Sequence, residues 1–192
     1  KAVSKALNLN QKVVSLGGDH SITFPIIQAY SQSYSDLNIL HIDAHPDLYD
    51  NFENNPYSHA SPLARIMEKG LVNRLVQVGI RTLNDHQKAQ VKRFGVEVIE
   101  MKDFDPTVSF QFGGPVYISI DMDALDPAFA PGVSHLEPGG LSTRDVINII
   151  HQLNGNVVGG DIVEYNPDRD INGMTAVVGA KLLKELLGKI LK

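Results

Sequence analysis

Two short clusters hold the residue types from which chemistry is built: His41-Ile42-Asp43-Ala44-His45-Pro46-Asp47 and Asp121-Met122-Asp123-Ala124-Leu125-Asp126-Pro127. Each follows an apolar run, Leu37–Leu40 in the first case and Val116–Ile120 in the second. Side chains alternate along a strand, so residues i, i+2 and i+4 share a face. A strand that runs on into its cluster projects Asp43, His45 and Asp47 together, and Asp121 with Asp123. Four carboxylates and an imidazole at two strand ends repel one another unless a cation lies among them. His20, in Gly17-Gly18-Asp19-His20 after a third apolar run, completes a set of six that could ligate a metal pair: His20, Asp43, His45, Asp47, Asp121 and Asp123. Oxygen and imidazole donors without sulfur suit a hard or borderline ion, manganese ahead of magnesium, iron, cobalt or zinc. Two such ions sharing carboxylates acidify water to a nucleophile near neutral pH, so the implied chemistry is metal-assisted hydrolysis.

The elements that must position these residues alternate between strand and helix. Lys12–Leu16 reads as a short strand closed by Gly17-Gly18, and Ser21 as the cap of a helix running to about Tyr30 with Pro25 in its first turn. Leu37–Ile42 is the next strand, and Asp47–Ser61 a long polar loop of the kind that carries function. Helices follow over Ala60–Lys69 and Asp85–Phe94, with strands at Arg74–Val78 and Val96–Ile99. Val116–Ile120 is a strand, Ser142 or Thr143 caps a helix to about Leu153, Asn156–Val163 is the last strand, and Met174–Leu191 the last helix. Alternation of this kind predicts one α/β domain over 1–192, a parallel sheet of about six strands with helices on both faces. Ligands of such sheets sit at the carboxyl ends of the strands, where both acidic clusters, Gly17–His20 and Glu164 fall.

The bulk composition is that of an ordinary globular domain, 43% hydrophobic and 20% charged, and it lacks cysteine, which excludes disulfides, thiolate metal sites and a cysteine nucleophile. The net charge of −5, with no basic stripe, argues against nucleic-acid or acidic-membrane binding. Asp43, Asp47, Asp121 and Asp123 supply four of those charges, which two divalent cations would cancel. No apolar run approaches the ~20 residues of a membrane span. The chain begins at Lys1, not Met, so the expectation is an N-terminally truncated piece, cytoplasmic or, if a targeting segment has been lost, from the mitochondrial matrix.

An Asp-x-Asp at a strand end is common; Asp-x-His-x-Asp together with a second acidic pair and Gly-Gly-Asp-His is not. Over nearly its whole length the chain resembles the ureohydrolases, the family of arginases, agmatinases and their relatives. The motifs are Gly17-Gly18-Asp19-His20-Ser21, Asp43-Ala44-His45-Pro46-Asp47, Ser58-His59-Ala60-Ser61 and Ser119-Ile120-Asp121-Met122-Asp123-Ala124-Leu125-Asp126-Pro127. Further matches are Ala130-Pro131-Gly132, Glu137-Pro138-Gly139-Gly140-Leu141 and Asp161-Ile162-Val163-Glu164-Tyr165-Asn166-Pro167.

The resemblance implies a three-layer α-β-α, arginase/deacetylase-like fold of about eight strands, two Mn2+ ions per subunit, a small guanidino substrate and a homo-oligomer, trimer or hexamer. It assigns His20, Asp43, Asp47 and Asp121 to one ion, and Asp43, His45, Asp121 and Asp123 to the other. It gives Glu164 the substrate guanidinium, through two parallel hydrogen bonds, and His59 the proton passed to the leaving amine. Asp50 and Asn84 are the candidates for the remote end of the substrate. Asn84, after Gly79-Ile80-Arg81, stands where animal arginases place an acidic residue against the substrate α-amino group. Asp47 through Arg81 looks most like plant-type arginases, which makes arginase the leading reading and agmatinase the alternative. Since two family strands are missing at the front, Lys12–Leu16 is expected at an exposed sheet edge. For the same reason a metal-bound but inactive interaction domain is the alternative of another class. A metal-dependent deacetylase on the related fold fits less well with Glu164. Among the other polar residues, His41 is expected in the core or behind a ligand, His86 and His151 at the surface, and His135 near the pocket. Asp19 and Asp126 are expected to cap turns or orient ligands.

Overall fold

The computed structural model describes residues 1–192. In chain order the elements are α1 (Ala2–Asn8), β1 (Val13–Leu16), α2 (Thr23–Tyr30), β2 (Asn38–Ile42), α3 (Pro62–Glu68), β3 (Arg74–Ile80), α4 (Asp85–Phe94), β4 (Glu97–Glu100), β5 (Phe110–Asp121), α5 (Thr143–Gln152), β6 (Leu153–Val163) and α6 (Met174–Ile190). The six strands form one sheet in the order β1-β6-β5-β2-β3-β4, and every neighbouring pair is parallel.

A parallel sheet covered on both faces needs strands that are apolar on both sides. β2 meets that demand with every residue buried, as does the Val116–Asp121 part of β5. Alternation divides the core into two. Leu40, Ile42, Val76, Val78, Ile118 and Ile120 pack toward α5 and α6, whereas Ile39, Leu75, Tyr117 and Val158 pack toward α1, α2 and α3. Sharp helix boundaries follow from local chemistry. Ser142 and Asp145 make a reciprocal capping box on α5, and Asn84 caps α4, which ends at Gly95 with φ 65°.

Several boundaries depart from the sequence reading. Ser21 does not cap a helix; Asp19 accepts the Ser21 backbone N–H and starts a 3-10 turn over His20–Ile22 that leads into α2. α3 begins at Pro62, not Ala60. β5 and β6 reach back to Phe110 and Leu153 through an irregular stretch at Gly113-Gly114-Pro115 that broke the apolar pattern. α1 was not anticipated. As expected, β1 lies at the sheet edge, where Leu16 is 66% exposed.

Candidate metal centre and cleft

Four adjacent strands, β1, β6, β5 and β2, each deliver one part of the site at their carboxyl ends. His20 follows β1, Glu164 follows β6, Asp121 closes β5, and Asp43 follows β2. Apart from Asp121, the acidic residues do not converge by continuing their strands. β2 stops at Ile42, and Asp47 reaches the cluster through a left-handed backbone with φ 52°. Asp123 sits in a 3-10 turn whose first carboxylate, Asp121, accepts the Asp123 N–H. Glu164 likewise has φ 65°, with its N–H given to the Gly18 carbonyl. Non-glycine residues held there cost about 1–3 kcal/mol each and persist where surrounding structure over-determines them, commonly at functional sites.

His20 is the centre of the cluster. Its Nδ1 lies 3.3 Å from Asp43 Oδ2, 3.0 Å from Asp47 Oδ2 and 3.1 Å from Asp121 Oδ2. Its other nitrogen, Nε2, lies 3.0 Å from Ser119 Oγ, and the Ser119 hydroxyl donates to Asp161 Oδ1 at 2.6 Å. A hydroxyl has one hydrogen, so Ser119 accepts from His20 Nε2–H and Nδ1 is the nitrogen left for the carboxylates. A proton on Nδ1 can point at one oxygen only; a divalent cation would serve all three. Consistently, His20 Nδ1, His41 Nε2 and Asp43 Oδ2 are buried without an aligned hydrogen-bond partner. Adjacent ligand atoms on an octahedral ion with bonds of ~2.1 Å lie about 3 Å apart, the spacing seen here.

A second group adjoins the first. His45 Nδ1 lies 3.2 Å from Asp123 Oδ2 and 3.5 Å from Asp43 Oδ1, and these three residues alone could hold an ion. His45 Nε2 faces Glu137 Oε1 at 3.6 Å. Backbone donors orient the carboxylates: His45 N–H to Asp43 at 2.7 Å and Asp123 N–H to Asp121 at 2.9 Å. The donor set, the pairing of the two groups through Asp43 and the orphaned buried atoms together fit divalent metal.

The electrostatics agree. Burial, followed by the charges of Asp123 and Asp43, lifts the Asp121 carboxyl well above the usual range. Asp123 is lifted by burial and by Asp43. Burial works against Asp43 too, but the surrounding imidazoles of His41, His20 and His45 hold it well below. Burial opposes charge on His45, yet hydrogen bonds with Asp123 and Asp43 outweigh it and push the imidazole up to about 12. The cluster therefore retains protons where a cation would otherwise compensate the carboxylates.

Above the cluster opens a cleft of about 520 Å³ walled by Asp47, Tyr49, His59, Asn84, His135 and Glu164 among others. Glu164 Oε1 accepts the His20 backbone N–H at 2.8 Å, and burial raises its carboxyl pKa. His59 stacks on His135 with centroids 5.8 Å apart and meets Phe52 edge-on. Asn84 lines the cleft, although its side chain also caps α4 and donates to the Tyr49 hydroxyl. Asp50 is the exception among the expected site residues. It stands outside the cleft wall, 57% exposed and paired with His86 at 3.2 Å, because the chain turns away after Tyr49. His151 pairs with Glu185 at the surface, and Asp126 accepts the N–H groups of Ala128, Gly139 and Gly140 in its loop.

Ser119, Asp161, Gln77, Glu137 and Arg81 fall in the matching stretches of the sequence, but sequence reading gives none of them a role. Ser119 had a signal: it stands two residues before Asp121 on the same strand face. Arg81 showed none of its role. Its guanidinium donates to the carbonyls of Gly79, Asp123, Ala124, Leu125 and Glu137, pinning the β5 cluster to the Glu137 loop.

Comparison with known proteins agrees with this geometry. The arginase family model matches residues 1–188. Rice arginase 1, mitochondrial (Oryza sativa), is 58% identical over 186 residues, covering 92% of this chain and 55% of that protein. The human guanidino acid hydrolase, mitochondrial, is 41% identical, covering 91% and 53%. The structure of arginase from Medicago truncatula superposes with a TM-score of 0.92 at 51% identity, over 98% of this chain and 64% of that one. This chain belongs to the arginase family. It spans about half the length of the curated relatives it matches.

Proposed function

We propose that this chain carries the catalytic centre of a dinuclear manganese ureohydrolase acting on L-arginine, with ornithine and urea as products. One observation carries the reading: three carboxylate oxygens within 3.3 Å of His20 Nδ1, beneath a cleft walled by Glu164 and His59. In this reading His20, Asp43, Asp47 and Asp121 hold one ion, and Asp43, His45, Asp121 and Asp123 the other. Ions bound there lower the pKa of water and supply positive charge where the reaction develops negative charge.

The rest falls to the protein. Glu164 presents a carboxylate edge to the guanidinium fork, which turns the central carbon toward the acidic cluster. Burial makes charge on Glu164 costly, and a cationic partner restores it, so the site favours a guanidinium over a neutral amide. His59 gives a proton to the departing amine nitrogen, with His135 stacked against its ring. No Lys or Arg lines the cleft, so an amino-acid carboxylate would meet neutral donors such as Thr82 and Asn84. That observation keeps agmatine, which has no carboxylate, as the second reading. The trimer or hexamer and the mitochondrial setting belong to the same proposal, the latter supported by relatives named mitochondrial.

The test is urea release, with Mn2+ supplied, from arginine, agmatine and 4-guanidinobutyrate. We expect arginine to be turned over at least about tenfold better than the others, a difference of roughly 1.4 kcal/mol in transition-state binding. Agmatine ahead of arginine would reassign the substrate. No urea from any of them would leave a metal-binding, non-catalytic domain.

A further inference from the structure

We propose that Gln77 and His41 form a buried positioning pair that orients Asp43, and that His41 itself is not a metal ligand. The proposal deepens, and rests on, the reading of the acidic cluster as a metal centre. His41 and Gln77 stand side by side in the parallel β2–β3 register, and both are fully buried.

The surroundings permit one orientation of the Gln77 carboxamide. Its Nε2 donates to the Pro46 carbonyl at 2.7 Å and lies 3.0 Å from His41 Nδ1. Turned over, the amide oxygen would face the Pro46 oxygen with no hydrogen between them. An amide nitrogen carries two hydrogens and accepts none, so His41 Nδ1 is the acceptor. With Nδ1 accepting, the ring hydrogen sits on Nε2, which lies 2.8 Å from Asp43 Oδ2 in a close polar contact that is not aligned as a hydrogen bond.

A metal on His20 Nδ1 displaces a proton but leaves the Nε2–H that Ser119 accepts, whereas a metal on His41 Nε2 would leave that ring with no hydrogen, because Nδ1 accepts from Gln77. That distinguishes His41 from His20, although His20, His41 and Asp43 lie close enough together to hold an ion. Asp43 Oδ2 has two lone-pair directions, so the unaligned His41 N–H close on one side leaves the other for a cation. The pair has a second arm. By holding the Pro46 carbonyl, Gln77 also fixes the turn between His45 and Asp47. The amide keeps this orientation even though its own Oε1 is left buried without a partner. Strand β3, which contributes no ligand, thereby sets both a shared carboxylate and the turn that carries Asp47.

The direct test is a long-range proton–nitrogen spectrum of the full chain labelled with 15N-histidine, metal-free and after adding Mg2+ or Zn2+ as a diamagnetic probe. His41 is expected to show a protonated Nε2 and a bare Nδ1 in both states. Loss of the Nε2 proton on metal addition would make His41 a ligand, and a protonated Nδ1 would break the relay; either overturns the proposal. In parallel, Mn2+ affinity is measured by equilibrium dialysis. His41→Phe, which keeps the bulk and removes the donor, is expected to weaken binding about ten- to hundredfold, and His41→Gln to recover most of it. Affinity unchanged in His41→Phe also overturns the proposal, and if that variant does not fold, the spectrum of the unmodified chain still decides. Should the unmodified chain bind no manganese, the metal-centre reading fails on that ground, whereas the His41 tautomer reports on the pair alone.

Discussion

Three hydroxyls, from Thr23, Tyr117 and Ser119, donate to the buried carboxylate of Asp161 at 2.6–2.9 Å. Asp161 has no cation beside it, so these hydroxyls do the solvating, and one of them fixes which nitrogen of His20 turns to the acids. Proton placement at this scale has a consequence for metal uptake. His45 has its pKa raised to about 12, and His20 is raised well above its ordinary value by its three carboxylates in spite of burial. A raised imidazole pKa means a proton is present throughout the neutral range, and a ligand nitrogen must shed it. Asp121 and Asp123, also raised, add to the protons that metal displaces. The sign is therefore fixed: Mn2+ affinity rises with pH, about tenfold per unit for each proton displaced. Mn2+ titrations at about pH 6.5 and about pH 8.5 check the slope, and calorimetry in buffers of different ionisation heat counts the protons. Equal affinity at both pH values, with buffer-independent heat, would remove the claim that imidazole protons guard the centre.

At the scale of elements, Gly79 ties strand β3 to the acidic cluster. It has φ 97°, and a Cβ there would lie 2.9 Å from the Asp43 carbonyl oxygen and 3.2 Å from Leu141 Cδ1. β3 goes on bonding to the chain after β2 has ended, taking Asp43 N–H at Val78 and giving Arg81 N–H to Ala44. Gly79→Ala is expected to destabilise the fold by about 1–3 kcal/mol and to weaken Mn2+ binding by displacing Asp43. Gly95→Ala is the control: φ is 65°, but open space surrounds it. It should lower the urea-denaturation midpoint without touching metal affinity; an equal loss of affinity in both variants would disconnect Gly79 from the site. The contrast also marks what sequence could reveal. The strand cores, the extents of α4 and α5 and the gathering of the six cluster residues were legible because apolar runs, Gly95 and Ser142 are local signals. The left-handed turn at Asp47, the outward path of Asp50 and the Gln77 amide were not. Each depends on a partner on another strand or loop, which no local period encodes. The period-2 argument gathered Asp43, His45 and Asp47 correctly but for the wrong reason, since a turn and not a strand brings Asp47 in.

For the molecule as a whole, the carboxylates of Asp43, Asp47, Asp121 and Asp123 lie at the carboxyl ends of the adjacent strands β2 and β5, and two divalent ions would cancel four of the five excess negative charges. The sheet also ends on β1, with an unpaired ladder, Leu16 exposed and an apolar recess lined by Leu16, Met122, Ile162 and Leu183. Edge strands of this kind invite pairing with other chains when the molecule loosens. Metal occupancy should therefore control both melting and self-association. A ligand at a hundred times its dissociation constant adds about 2.7 kcal/mol per site, hence roughly 5 kcal/mol for two. At about 2–4 °C per kcal/mol for a chain of this size, chelation should lower Tm by roughly 10–20 °C. Asp123→Asn, which removes one carboxylate from the second group only, should lose less than full chelation does in the presence of Mn2+. Scanning calorimetry with and without chelator reads the shift, and light scattering during the scan reads association. Coincident melting curves would show that the cluster holds no ion strongly enough to matter to the fold. A lowered Tm without added scattering would keep the metal and acquit the β1 edge.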